Sequence, residues 1–255
     1  MKGSVTLDFE VDKNVDEINT GFFGITIKKG ELIIIGAKPG VGKSALAYSI
    51  LRNVGIKDEV SSGVITTGTF YGKQLMRRLL SYESGIKFHK MIHGLLNENE
   101  KKRLCSAIEK LKKSPVFIED FPNGSFEEIK HSIKKLVSEN NVQIVFIDSF
   151  DFLDEVVNEK LSMSKLLWEY KNQAQMQNIV VVFLMDLQED CEPCSLDMFK
   201  KDVAVTRIVD AWLFLDREII KDYEKIPDNN AKLLYCRNNQ FCEYGVCFEE
   251  DVKEM

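Results

Sequence analysis

Short, uninterrupted apolar runs alternate with stretches of helical period along most of this chain. ELIIIG (Glu31–Gly36), GVIT (Gly63–Thr66), PVFIED (Pro115–Asp120), QIVFID (Gln143–Asp148), IVVVFLM (Ile179–Met185) and AWLFLD (Ala211–Asp216) read as strands buried on both faces. Helical spacing falls between them. It is carried by Leu46, Ala47, Ile50, Leu51 and Val54, then by Leu75, Met76, Leu79 and Leu80, then by Leu104, Ile108 and Leu111. Phe126, Ile129, Ile133, Leu136 and Val137 mark another amphipathic helix, and a further one is predicted around 161–177. Near the end, AKLLYC and YGVCF read as a hairpin pair. Apolar strands separated by helices predict an α/β domain: a mostly parallel central sheet flanked by helices, with a C-terminal antiparallel hairpin.

Composition narrows the picture only a little. No repeat, low-complexity tract or Pro/Gly/Ser linker interrupts the 255 residues, and the five prolines do not cluster. One domain over 21–255 is expected, preceded by a lead segment over 1–20. A net charge of −6 argues against an autonomous nucleic-acid binder, which presents a basic surface. No apolar run approaches the ~20 residues of a membrane span. The opening MKGSVTLDFEVDKN has no apolar signal core, so no membrane partner and a cytoplasmic location are expected. There the six cysteines are expected as reduced thiols, and Cys191-x-x-Cys194 lacks a second such pair for zinc.

The sharpest chemistry lies in AKPGVGKS, Ala37 to Ser44, which has the spacing of a Walker A loop with Ala37 at the first Gly position. A predicted strand enters it and a predicted helix leaves it. The segment Ala37, Lys38, Pro39, Gly40, Val41, Gly42, Lys43, Ser44 and Ala45 is therefore the candidate nucleotide cradle. Gly40 and Gly42 let the backbone curl so that amides face phosphate oxygens, and the helix start adds its positive dipole end. Lys43 is the residue expected at the β- and γ-phosphates, and Ser44 the expected Mg2+ ligand. The second metal-side residue is Asp148, which ends the strand IVFID in a Walker B pattern. ATP and Mg2+ are the cofactors these residues imply.

With both motifs placed, the chain resembles the C-terminal motor domain of DnaB-type replicative DNA helicases, a RecA-like fold. The likeness runs from about Val15 to Phe248. It is carried by VDEINTGFFGITIKKGELIIIGAKPGVGKSALA, QLMRRLLSYESGI, SPVFIEDFPNGSFEEIKHSIKKL, VQIVFIDSFDFL, IVVVFLMDLQ and VTRIVDAWLFLDRE, in that order. The resemblance implies a homo-oligomeric ring, ATP bound between subunits, single-stranded DNA in the central channel, and helicase or replication partner proteins. No counterpart of the family's N-terminal helical domain is expected.

The same comparison exposes departures. The family's water-polarising Glu corresponds to Thr69, and no Asp or Glu lies between Val60 and Tyr82. A hydroxyl cannot act as a carboxylate base. The Ser-Gln-Leu of the family is Met185-Asp186-Leu187 here. The Lys-x-Arg that reaches a neighbour's ATP becomes Arg237 and Asn239, so Arg237 reads either as a trans cation or as a solvated strand residue. The loops that would face DNA carry Asp154, Glu155 and Glu159 against Lys160, and an acid-rich DLQEDCEPCSLDMFKK, although phosphate contacts need Lys or Arg. Two readings stand: an ATP-dependent DNA helicase or helicase accessory in replication, and a hydrolysis-impaired ATP-binding switch descended from it.

Overall fold

Eight strands make one sheet and two short ones a separate ladder in a computed structural model that describes residues 17–22, 24–68, 71–149, 153, 162–187, 203–217, 230–237 and 240–247. The ladder pairs β1 (Glu17–Asn19) with β2 (Thr26–Lys28). The sheet contains β3 (Leu32–Ala37), β4 (Ser62–Thr66), β5 (Val116–Asp120), β6 (Ile144–Asp148), β7 (Val180–Asp186), β8 (Ala211–Asp216), β9 (Asn230–Arg237) and β10 (Gln240–Cys247), in the order β10-β9-β8-β3-β7-β6-β4-β5. Strands β3 to β8 run parallel to one another. The final hairpin joins antiparallel through β9.

Strand β3 shows why the apolar runs are continuous. Successive side chains point to opposite faces, and Leu32, Ile33, Ile34 and Ile35 are all fully buried. Ile33 and Ile35 pack with Leu46 and Leu51 of α1 (Lys43–Leu51) and with Leu75 and Leu79 of α2 (Tyr71–Ser84). Leu32 and Ile34 belong to the opposite core, with Ile129 and Ile133 of α5 (Phe126–Asn140) and Leu166 and Tyr170 of α6 (Met163–Gln177). Within that core the Tyr170 ring meets Phe126 and Phe183 edge-on, at centroid distances of 5.1 and 4.8 Å. A π-helical segment, Arg52–Lys57, continues α1, and α3 (Phe88–Ile92), α4 (Glu98–Lys113) and α7 (Val205–Ile208) complete the described helices. None of the described helices is long and apolar enough to cross a membrane.

Local signals set the ends of several helices. Asn97 with Glu100 starts α4, and Ser125 with Glu128 starts α5, each as a reciprocal capping box. Helices α5 and α6 stop at Asn141 and Asn178, both in the left-handed conformation that asparagine tolerates.

Four features depart from the sequence reading. The β1–β2 ladder was not expected, because three residues carry too little alternation to register. The five-residue α3 escapes for the same reason. Strand β5 was expected to be buried on both faces, but it is the sheet edge, and Val116 to Glu119 are only half-buried. Leu104, Ile108 and Leu111 of α4 are half-buried as well, because α4 packs chiefly on α2 rather than on the sheet.

Strand register lines up the chemistry. Ala37 at the end of β3 pairs with Asp186 of β7 and Leu215 of β8. Thr66 at the end of β4 pairs with Asp148 on one side and Asp120 on the other. Asp120, Asp148, Asp186 and Asp216 thus end four parallel strands along one edge, the edge where open α/β sheets bind ligands.

Candidate functional site

The loop after β3 turns on two glycines. Gly40 has φ +79° and Gly42 φ +115°, values that side-chain-bearing residues rarely adopt. A Cβ at Gly40 would meet nothing within 4 Å, so the loop surface there is open. Val41 is buried and anchors the turn from beneath. Helix α1 then begins at Lys43 with no side-chain cap and no acid in its first turn. Its first amides are left for an external acceptor, which is the electrostatic character of an anion site. On these observations the Ala37–Ala45 segment fits a nucleotide phosphate.

Lys43 is 9% exposed, and its ammonium donates to Asp186 Oδ1 at 2.6 Å. The pairing follows from register, since Asp186 lies beside Ala37 where the loop begins. The next side chain, Ser44, donates from Oγ to Asp148 Oδ2 at 3.2 Å. A hydroxyl and a carboxylate brought together from α1 and β6 form the oxygen pair that Mg2+ prefers, so the two metal-side candidates fit such an ion.

Tyr48 also reaches Asp148. It sits one helical turn after Ser44, and its phenol donates to the same Oδ2. Burial pushes the Tyr48 phenol well above its usual range, and the neighbouring Asp148 carboxylate pushes it the same way. The phenol therefore stays protonated and remains a donor. The Arg78 guanidinium lies over the Tyr48 ring at 6.0 Å.

Next to Asp148, the chain is stapled to the end of β4. Thr67 Oγ1 donates to the Ser149 carbonyl at 2.7 Å and accepts from the Ser149 amide at 2.9 Å. The Thr67 amide donates to the Asp148 carbonyl at 2.8 Å. Asp120 is the nearest acid in register with this strand end. It accepts from the Gly72 amide at 2.9 Å and from the Thr66 hydroxyl, so it anchors the start of α2. A Cβ on Gly72 would lie 2.4 Å from that carboxylate, which is why glycine stands there.

Arg237 lies elsewhere. It pairs in register with Ala211, the first residue of β8, at the sheet edge opposite the phosphate loop. Its guanidinium holds both oxygens of Glu31, one of them at 3.0 Å, and donates to the Thr26 carbonyl at 3.1 Å and to the Tyr235 hydroxyl. Burial lowers the Arg237 pKa, but the Glu31 and Tyr235 hydrogen bonds outweigh it and the group is held above its usual value. Thr69, Asn239, the Asp154–Lys160 stretch and the Cys191–Cys194 pair lie outside the described residues.

The structure brings Lys43, Ser44, Asp148 and Asp186 together at one edge and sets Arg237 at the other. Sequence reasoning missed Tyr48, Thr67 and Asp120. Tyr48 carried a usable signal, its i+4 spacing from Ser44 on a helix face that meets the sheet. Thr67 and Asp120 carried none, because their contacts depend on strand register.

The model of the DnaB-like helicase C-terminal domain matches residues 11–253. The replicative DNA helicase DnaC of Bacillus subtilis is 25% identical over 253 residues, covering 94% of this chain and 54% of that protein. A probable replicative DNA helicase of Trieres chinensis is 30% identical over 184 residues, covering 70% of this chain and 39% of that one. The chain thus spans about half or less of the length of these curated relatives. Among solved structures, the ATPase domain of G40P superposes with a TM-score of 0.74 at 20% identity, covering 88% of this chain and 84% of that one. A DnaB-like replicative helicase, solved to examine its interactions with primase, also gives 0.74 at 19% identity, covering 88% of this chain and 56% of that one. At such identities the two structures show a shared fold, the RecA-like one.

Proposed function

This chain belongs to the DnaB-like helicase C-terminal domain family, and on that premise we propose that it binds ATP with Mg2+ on the Ala37–Ala45 loop, as a motor-type domain of DNA replication. The observation that carries the reading is the Ser44–Asp148 contact at 3.2 Å beneath an uncapped helix start. The open backbone at Gly40 and Gly42 and the uncapped amides of α1 receive the phosphates. Lys43 contributes its positive charge to the β- and γ-phosphate oxygens. Ser44 and Asp148 would hold the metal, and Tyr48 keeps the Asp148 carboxylate turned toward Ser44. When bound, Mg2+ offsets the charge on the phosphate oxygens. By kinship, the assembly is a homo-oligomeric ring that works with single-stranded DNA and replication proteins.

A second reading is favoured by one further observation. No Asp or Glu occurs between Val60 and Tyr82, and Asp120 is engaged with Thr66 and Gly72. A site with no carboxylate at the exit of β4 to orient water holds ATP with little turnover, and the chain then acts as a nucleotide-dependent switch among replication proteins. Two measurements test the pair. Calorimetric titration with Mg·ATP is expected to show binding, and its absence overturns the nucleotide reading. Steady-state ATP hydrolysis is then compared with and without single-stranded DNA. DNA-stimulated turnover excludes the switch, and binding without turnover excludes the motor.

A further inference from the structure

The contact between Lys43 and Asp186 goes beyond nucleotide binding as such. The Lys43 ammonium is 2.6 Å from Asp186 Oδ1, and its side chain is only 10% exposed, whereas that of Asp186 is 38% exposed. The Asp186 backbone is fixed there by strand pairing: Asp186 ends β7 opposite Ala37, and the Leu187 amide donates to the Ala37 carbonyl at 2.9 Å. Asp186 therefore cannot move far from the phosphate loop while the sheet is intact. Any anion that takes the Lys43 ammonium as partner acquires Asp186 as a like-charged neighbour.

We propose that Asp186 is a specificity-determining residue that makes this site favour a nucleoside diphosphate over the corresponding triphosphate. This deepens the reading proposed above and rests on it. The amides of the Gly40–Ser44 turn serve phosphate oxygens without charge and favour both nucleotides. Lys43 is the group that distinguishes them, since its ammonium serves the terminal phosphates. With Asp186 on the ammonium, the positive charge already has a carboxylate partner. The further negative charge of a γ-phosphate then meets a carboxylate as well as an ammonium. Repulsion between like charges held close together in a partly desolvated cleft is worth a factor of ten or more. A neutral amide at the same place removes the repulsion and still accepts a hydrogen bond from Lys43.

The test is calorimetric titration of the wild-type chain and of Asp186→Asn with Mg·ADP and with the Mg complex of a non-hydrolysable ATP analogue. The expected wild-type result is about tenfold or greater preference for the diphosphate. In Asp186→Asn the triphosphate analogue is expected to gain about tenfold while the diphosphate changes less than about threefold. The wild-type ratio needs no variant, so it decides the matter even if Asp186→Asn fails to fold. Equal wild-type affinities, or tighter binding of the triphosphate analogue, overturn the role of Asp186 and leave the nucleotide site standing. Equal gains for both ligands in the variant do the same. Failure of the wild type to bind either ligand overturns the nucleotide reading itself, and this inference with it.

Discussion

The two edges of the central sheet carry ion pairs of opposite character. At the edge opposite the phosphate loop, each charge is tied to backbone as well as to its partner. Arg237 holds Glu31 and the Thr26 carbonyl, while Glu31 also accepts from the Lys28 amide at 2.8 Å. Beside them, Lys171 donates to Asp210 at 2.6 Å and to the Gly30 carbonyl at 2.9 Å, and Asp210 accepts from the Leu32 amide at 2.7 Å. These pairs close the base of β3 against its neighbours. At the phosphate edge, Lys43 meets Asp186 through side-chain atoms, and a helix start beside it is left uncapped. A multiply tied pair is architecture. An ion pair beside unsatisfied helix amides can be exchanged for a ligand.

The largest effect that checks this contrast is expected from Lys43→Ala. Nucleotide affinity should fall about 100-fold or more, because a charge-assisted contact to phosphate is removed. The midpoint of urea unfolding should barely move, since Asp186 is exposed enough to be solvated. A large loss of stability would show the Lys43 pair to be structural after all.

Arg237→Ala should give the mirror image. It leaves the Glu31 carboxylate, 12% exposed, without its cation, so a loss of about 2–3 kcal/mol in unfolding free energy is expected. Nucleotide affinity of the isolated chain should stay within about twofold of wild type. Unchanged stability together with lost turnover in the assembled protein would instead make Arg237 a cation supplied to a neighbour.

A smaller change, Tyr48→Phe, removes one donor from Asp148 while leaving the buried ring in place. Mg2+-dependent nucleotide affinity should drop about 3–10-fold, the worth of one typical net hydrogen bond. Affinity measured in the presence of a chelator should not change. An equal drop in both conditions would mean that Tyr48 acts on the loop rather than on the metal side.

The smallest effect sharpens the contrast by pH. Glu83 bridges Arg52 and Lys110. Burial pushes its carboxyl upward, but the Lys110 and Arg52 hydrogen bonds outweigh it and hold the carboxyl below its usual value. A lowered pKa contributes stability that is present above the unfolded value and lost as pH falls through the folded one. Glu83→Gln should therefore cost about 1 kcal/mol at neutral pH. The two stability curves should converge as pH drops below about 4.3. A constant gap across that range would count against an ionic tie.

Local chemistry determined what could be read in advance. The central strands announced themselves because burial on both faces removes polar residues from the run, as in Leu32–Ala37 and Val180–Asp186. The phosphate loop was legible because glycine, lysine and a hydroxyl at fixed offsets have one common physical use. Strand order was not legible. It alone makes PVFIED an edge, seats Asp186 beside Ala37 and puts Asp120 against Gly72. The Arg237–Glu31 pair spans 206 residues of sequence, and nothing in either neighbourhood announces the other.

Strand β3 begins beside Glu31, in the grip of Arg237 from the hairpin, and ends in the loop that carries Lys43. Six extended residues, about 20 Å at 3.3 Å each, separate the two. With parallel neighbours on both sides along that length, the strand behaves as a stiff rod rather than a tether.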